Sequence, residues 1–352
     1  MPDANAVNTA NAAKIWLARF SKLVVAATLC LIFIGGLVTT KDAGMSVPDW
    51  PTTFRYSMFS VPFAKWTGED AIQSGVFYEH SHRLFASMVG LLTTALAIWI
   101  WKSEPRRWLR WLGFGAFLLV IAQGVIGGLR VTNNSILLAM IHGCTAQAFL
   151  CVLVFIAAAL SPIWFELEKK SPRFKSDDAN RARFRTITAT SWLLVAAVYI
   201  QLIIGAVMRH LKAGLAIPTF PRSGLRGEWL PPFWSEGIAL NFAHRVGALT
   251  ITLIVFTLLT LVFTRARGER RLARPVGWLA FLVFIQIGLG AHIILKLRPP
   301  TITTLHVVNG AAILATALLI ALRVSRLSRL KSESRDEATA MNFKHVFQET
   351  SA

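Results

Sequence analysis

The sequence predicts an all-α integral membrane protein, with eight transmembrane helices forming two four-helix bundles related by internal duplication. Three observations carry this expectation. Of 352 residues, 54% are hydrophobic and 16% charged, whereas a soluble domain carries about 25% charged residues. Eight separate stretches are apolar enough to cross a bilayer, and the last four repeat landmarks of the first four.

A hydrocarbon core of about 30 Å needs roughly 20 apolar residues in a helix. Stretches at about 21–40, 78–101, 109–130, 136–160, 187–208, 238–264, 275–296 and 300–323 meet this. Unpaired strand backbone cannot span lipid, so a helical bundle follows. The mixed, polar segment 1–20 has no signal-peptide core, which makes the first span a retained helix. The expected units are this segment, an N-terminal bundle 21–160 with a long loop 41–77, and a linker 161–186. A C-terminal bundle 187–323 with a loop 209–237 and a charged tail 324–352 follow.

Most of the 37 Lys and Arg residues lie in the N-terminal segment, the linker, the tail and the short loops on the same side. The positive-inside rule then puts both termini in the cytoplasm of a cell inner membrane, and the loops 41–77 and 209–237 outside. The net charge of +19 is therefore topological, and nucleic acid is not an expected partner. The two long loops are rich in Trp, Phe and Pro, which favours packing on the membrane surface or over a site. Cys30, Cys144 and Cys151 all fall inside spans, so neither a loop disulfide nor a CxxC site is available.

The repeat is specific. Gly35-Gly36-Leu37-Val38 leading to Ala43-Gly44 and Val47-Pro48-Asp49-Trp50-Pro51 matches Gly205-Ala206-Val207-Met208 leading to Ala213-Gly214 and Ile217-Pro218-Thr219-Phe220-Pro221 at an offset of 170. Gln123-Gly124-Val125-Ile126-Gly127 matches Gln286-Ile287-Gly288-Leu289-Gly290. His82-Arg83 recurs as His244-Arg245 at an offset of 162, and His142 as His306 at 164. Each unit holds four spans, an even number, so both units share one orientation, as in parallel-repeat proteins.

Ionisable residues at membrane depth are costly and mark function. The four histidines fall in one outer layer, two per bundle and on different helices. Facing imidazoles in a bundle interior suit axial ligation of a haem iron. The blander reading of any one of them is an interfacial, hydrogen-bonded histidine. Arg83 and Arg245 are candidates for binding haem propionates, or else lipid contacts at a helix end. Gly127, Gly128, Gly205 and Gly290 allow close approach of a porphyrin or simply of another helix. Glu79 breaks the repeat because Asn241 is its counterpart, and this asymmetry marks Glu79 as the candidate catalytic carboxylate. An ordinary helix N-terminal charge is its alternative. His80 is expected to point away from His82, His210 and His292 to lie at the interface, and His345 to be inert.

With Glu79-His80-Ser81-His82-Arg83, Pro48-Asp49-Trp50-Pro51, Arg209-His210 and the His142, His244-Arg245 and His306 positions, the chain resembles the haem A synthase family over about residues 20–323. The resemblance implies oxidation of the C8 methyl group of haem O to the formyl group of haem A, in two steps. It implies that His82 and His142 ligate the substrate haem iron, that His244 and His306 ligate a haem b cofactor, and that Glu79 is the acidic residue beside the substrate. The implied partners are haem O, haem O synthase upstream, an unidentified electron donor and membrane lipid, with a homo-oligomer left open. Some bacterial members carry loop cysteine pairs, one near the position of Ile217; this chain has none and looks like the cysteine-free branch. Two rivals stay open, a non-enzymatic di-haem b-type electron-transfer cytochrome and a parallel-repeat transporter.

Overall fold

The computed structural model describes the backbone of residues 4–169 and 178–349, and side chains over 13–167 and 184–327. Eight helices are long and apolar enough to cross a membrane: α1 (Ala4–Thr40), α4 (Val76–Ser103), α5 (Arg107–Thr132), α6 (Ile136–Leu160), α8 (Asp178–His210), α9 (Glu236–Arg265), α10 (Arg270–Leu295) and α11 (Pro300–Glu349). Three short helices, α2 (Ala64–Thr67), α3 (Glu69–Gln73) and α7 (Pro162–Lys169), sit in connections. The chain is thus a multi-pass membrane protein. Large apolar side chains left exposed along the spans, such as Leu91, Leu118, Leu249 and Phe284, suit a lipid surround.

Helix ends carry local signals. Ser135 and Ser235 cap α6 and α9 by accepting from the backbone N–H groups of Leu138 and Ile238. Gly75, at φ 84°, turns the chain into α4 where any Cβ would strike Ser46 and Ala43. Pro300 occupies the first position of α11, where its missing N–H costs nothing.

Helices α1, α4, α5 and α6 contact one another in a closed ring, and α8, α9, α10 and α11 do the same. This pattern fits two four-helix bundles. One apolar core fills each ring, around Leu96, Leu109 and Leu153 in the first and Leu194, Leu258 and Leu314 in the second. A third cluster, with Leu150 and Val154 on α6 and Ala311 and Leu318 on α11, forms the seam. Polar stitches cross it: Thr40 and Thr304 hydroxyls lie 3.0 Å apart, and Arg209 Nη2 donates to the Gly36 carbonyl at 2.6 Å.

Two helices run on past the apolar spans. The first helix begins at Ala4, well before the span expected from residue 21, and helix α11 continues as far as Glu349 into the tail. Window hydropathy detects the apolar part of a helix, whereas backbone hydrogen bonding continues past it. Part of the linker, residues 170–177, and the side chain of His345 lie outside the described residues.

Candidate functional site

All four histidines of the repeat sit in the second turn or just beyond it in their helices, at the end of the molecule carrying the long loops. His82, His142 and His306 are each six residues past the first residue of α4, α6 and α11. His244 is eight past that of α9.

Each imidazole leans on a glycine of the preceding long helix. A Cβ added at Gly35 would lie 2.9 Å from His82 Cε1, and one at Gly127 3.0 Å from His142 Cε1. At Gly205 the distance to His244 Cε1 would be 3.2 Å, and at Gly290 3.3 Å to His306 Cε1. The four contacts follow one rule, α1 to α4, α5 to α6, α8 to α9 and α10 to α11. Every ring therefore rests on bare backbone, in a space that any larger residue would take. Gly128 has a different task, because its face is covered by the Trp50 ring.

The C-terminal couple is in direct view: the rings of His244 and His306 have centroids 6.3 Å apart and are inclined at 51°. Two imidazoles bonded to one metal at about 2 Å per bond have ring centres about 6 Å apart, so this pair fits a shared iron. The Nδ1 atoms of His82, His142 and His306 are shielded from solvent without a protein partner, while the rings remain partly exposed. Among the described residues no cluster of three or more His, Cys, Asp or Glu side chains could hold a metal alone. A two-imidazole donor set is what an axially ligated porphyrin iron requires.

A glutamine stands four residues before the glycine on three of the four backing helices. Gln201 Nε2 lies 3.1 Å from His244 Nδ1 and donates to the His244 carbonyl at 2.7 Å. Gln286 Nε2 donates to the His306 carbonyl at 3.0 Å and is itself held by Asn309 at 2.7 Å. Gln123 Nε2 donates to Thr145 Oγ1, one turn past His142. Sequence reasoning found the Gln123 and Gln286 match but missed Gln201, although its spacing to Gly205 is the same. On α1 the position is Leu31, so the His82 ring lacks this support.

Glu79, His80 and Arg83 are all buried. The Glu79 carboxylate accepts from Arg83 Nη2 at 3.0 Å and from the Val47 N–H at 2.9 Å. Arg83 also donates to the carbonyls of Asp49, Thr52 and Val47 at 2.7–3.0 Å. Arg245 is its counterpart: Nη2 donates to the Ile217 carbonyl, Nη1 to the Arg222 carbonyl and Nε to Asn241 Oδ1. Asn241 Nδ2 donates to the carbonyls of Ala213 and Gly214. The two arginines thus direct donors at the long loops, three bonds from Arg83 and two from Arg245. The Glu79–Asn241 difference follows loop polarity: the first loop offers an N–H, the second offers carbonyls.

The first loop is tied on itself by Asp49, whose carboxylate accepts from Thr52 Oγ1 and the N–H groups of Phe54 and Arg55. Partial burial pushes its pKa upward, and these hydrogen bonds outweigh that and leave it below the usual value. The cis peptide bonds Trp50–Pro51 and Phe220–Pro221 fall in repeat register. His80 faces away from the couple, with its ring 4.9 Å from Trp66. His210 borders a cavity at the same end, and His292 is exposed.

Comparison with known proteins places these residues in a family. Residues 18–319 match the family model COX15-CtaA, described as cytochrome oxidase assembly protein. The chain is 29% identical over 300 residues to a Heme A synthase of Lysinibacillus sphaericus, covering 80% of this chain and 87% of that one. It is 28% identical over 273 residues to one of Symbiobacterium thermophilum, covering 76% and 81%. A third, from a Bradyrhizobium species, is 26% identical over 357 residues, covering 89% and 91%.

Proposed function

The chain belongs to the COX15-CtaA family of cytochrome oxidase assembly proteins, and from that membership we propose that it is a haem A synthase. In this reading it oxidises the C8 methyl group of haem O to the formyl group of haem A in two steps, for use by cytochrome oxidase. The observation that carries it is the fourfold arrangement of an imidazole on a bare glycine backbone, two per bundle at matched depth.

The division of labour is as follows. His244 and His306 hold a permanent haem b, for which their ring separation is suited. His82 and His142 hold the substrate haem in the other bundle. Bound haem iron supplies the redox chemistry. The protein orients the rings by glycine contact, with Gln201 and Gln286 steadying the second couple. Arg83 and Arg245 fasten the long loops over their own bundles and so shield the reacting end from water. Glu79 is the carboxyl group that distinguishes the first bundle, held in place by Arg83. In this reading it steers proton movement or stabilises positive charge developing at the reacting carbon. Positive-inside orientation puts the haem sites at the outer face of the inner membrane with both termini in the cytoplasm. Haem O synthase is the natural upstream partner, and an electron donor is required.

One observation favours the di-haem cytochrome as a second reading: the loop clamp gives Glu79 structural work that needs no chemistry. Expression in a host that makes haem O but no haem A decides between them. The enzyme yields haem A among the extracted pigments; a profile of haem B and unconverted haem O with no haem A overturns the proposal.

A further inference from the structure

A cavity of about 230 Å³ opens at the long-loop end between the two halves, bordered by the ends of α1, α5, α6 and α8. Its lining is strongly cationic: Arg130, Arg209, Lys212, Arg298 and His210, against the single carboxylate of Asp42. Four guanidinium or ammonium groups round so small a space repel one another, and one carboxylate does not balance them. Arg209 Nε is shielded from solvent with no partner in the protein. Its Nη2 and the Nη2 of Arg130 are anchored on the carbonyls of Gly36 and Gly44, which fixes both guanidinium planes. Such preset, under-satisfied forks match oxyanions.

The position ties this cavity to the haem sites. Arg130 stands three residues beyond Gly127, on which His142 rests. Arg209 stands four beyond Gly205, the backing of His244. Arg83 and Arg245, by contrast, are turned to the loops, with three bonds to loop carbonyls from Arg83 and two from Arg245.

We propose that the cavity is a carboxylate pocket in which Arg130 and Arg209, aided by Lys212 and Arg298, bind the propionate groups of the haem held by His82 and His142. This rests on the reading of those histidines as a haem site. A phospholipid phosphate presents the same oxyanion chemistry, and the experiment separates the two sources.

The full chain, purified with its resident haem, is titrated with haem B and with haem B dimethyl ester, following the absorbance of the bound pigment. The free acid binds about tenfold or more tightly than the ester, as expected for loss of a charge-assisted hydrogen bond. In Arg130→Gln and Arg209→Gln the ratio falls towards one, in Arg130→Lys most of it survives, and Lys212→Gln, at an exposed position, gives a smaller fall. A ratio near one in the wild-type chain, or a ratio unchanged in both Gln variants and in Lys212→Gln, overturns the proposal. Loss of bound anionic phospholipid from the Gln variants with an unchanged ester ratio assigns the pocket to a headgroup and also overturns it. Failure of the histidine reading looks different: His82→Ala and His142→Ala would then bind added haem with wild-type affinity.

Discussion

Glycine contact sets the tolerance of each histidine site. Gly127→Ala brings a methyl to 3.0 Å from His142 Cε1, whereas Gly124, one turn earlier on the same helix, has nothing within 4 Å of such a methyl. Overpacking of this kind costs about 1–3 kcal/mol, and here the ring must shift. Gly127→Ala should therefore lower conversion of haem O severalfold or more while Gly124→Ala leaves it near wild type, measured by pigment extraction. The second couple gives a parallel expectation. His244→Ala or His306→Ala should lose the permanent haem b spectrum, and His82→Ala or His142→Ala should keep it but abolish conversion. At this scale the sequence was readable where chemistry is rare: a histidine at membrane depth stands out. Gln201 and Gly35 did not stand out as supports, because amides and glycines are common in spans and only geometry shows which face an imidazole.

Among the elements, the long loops are held by side chains from the helix that follows them. Arg83 reaches carbonyls 31 to 36 residues upstream in sequence, a pairing that no local pattern encodes. The repeat could have hinted at it, since Arg245 does the same to the second loop. Removing Arg83 leaves the Glu79 carboxylate buried and unpaired; loss of one partner of a buried pair costs about 3–5 kcal/mol. Arg83→Ala should thus lower the thermal midpoint markedly and expose the segment 47–55 to protease. Arg83→Lys should recover only part, because an ammonium cannot reach several carbonyls at once. Asp49 adds a pH dependence of known sign. Its carboxyl is depressed in the folded loop, so its stabilisation is complete above the unfolded value near 3.8 and is lost as pH falls through the lower folded value. Protection of the Phe54 and Arg55 amides, taken as exchange relative to the free-peptide rate at the same pH, should stay constant from pH 5 to 8 and fall only in stronger acid; a fall in protection near neutrality would refute this.

At the level of the whole molecule, apolar runs and the internal repeat made the helix count and their grouping legible, since lipid imposes length and composition directly. What stayed hidden was the far end of α1, the helical continuation of α11 and the way α6 and α11 share the seam, all products of packing without hydropathy signatures. The three cysteines are unpaired. Thiol reductants should accordingly leave haem loading and stability unchanged, a check made by comparing spectra and melting with and without dithiothreitol.

The placement of all four imidazoles in the second turn or just beyond it has an electrical consequence. A full crossing of the bilayer by one charge couples to the transmembrane voltage by about 2.3 kcal/mol per 100 mV. An electron exchanged between two sites lying side by side at one depth travels along an equipotential and does almost no work against that voltage. Energisation of the membrane would then leave traffic between the halves untouched, and only supply from the opposite surface would feel it.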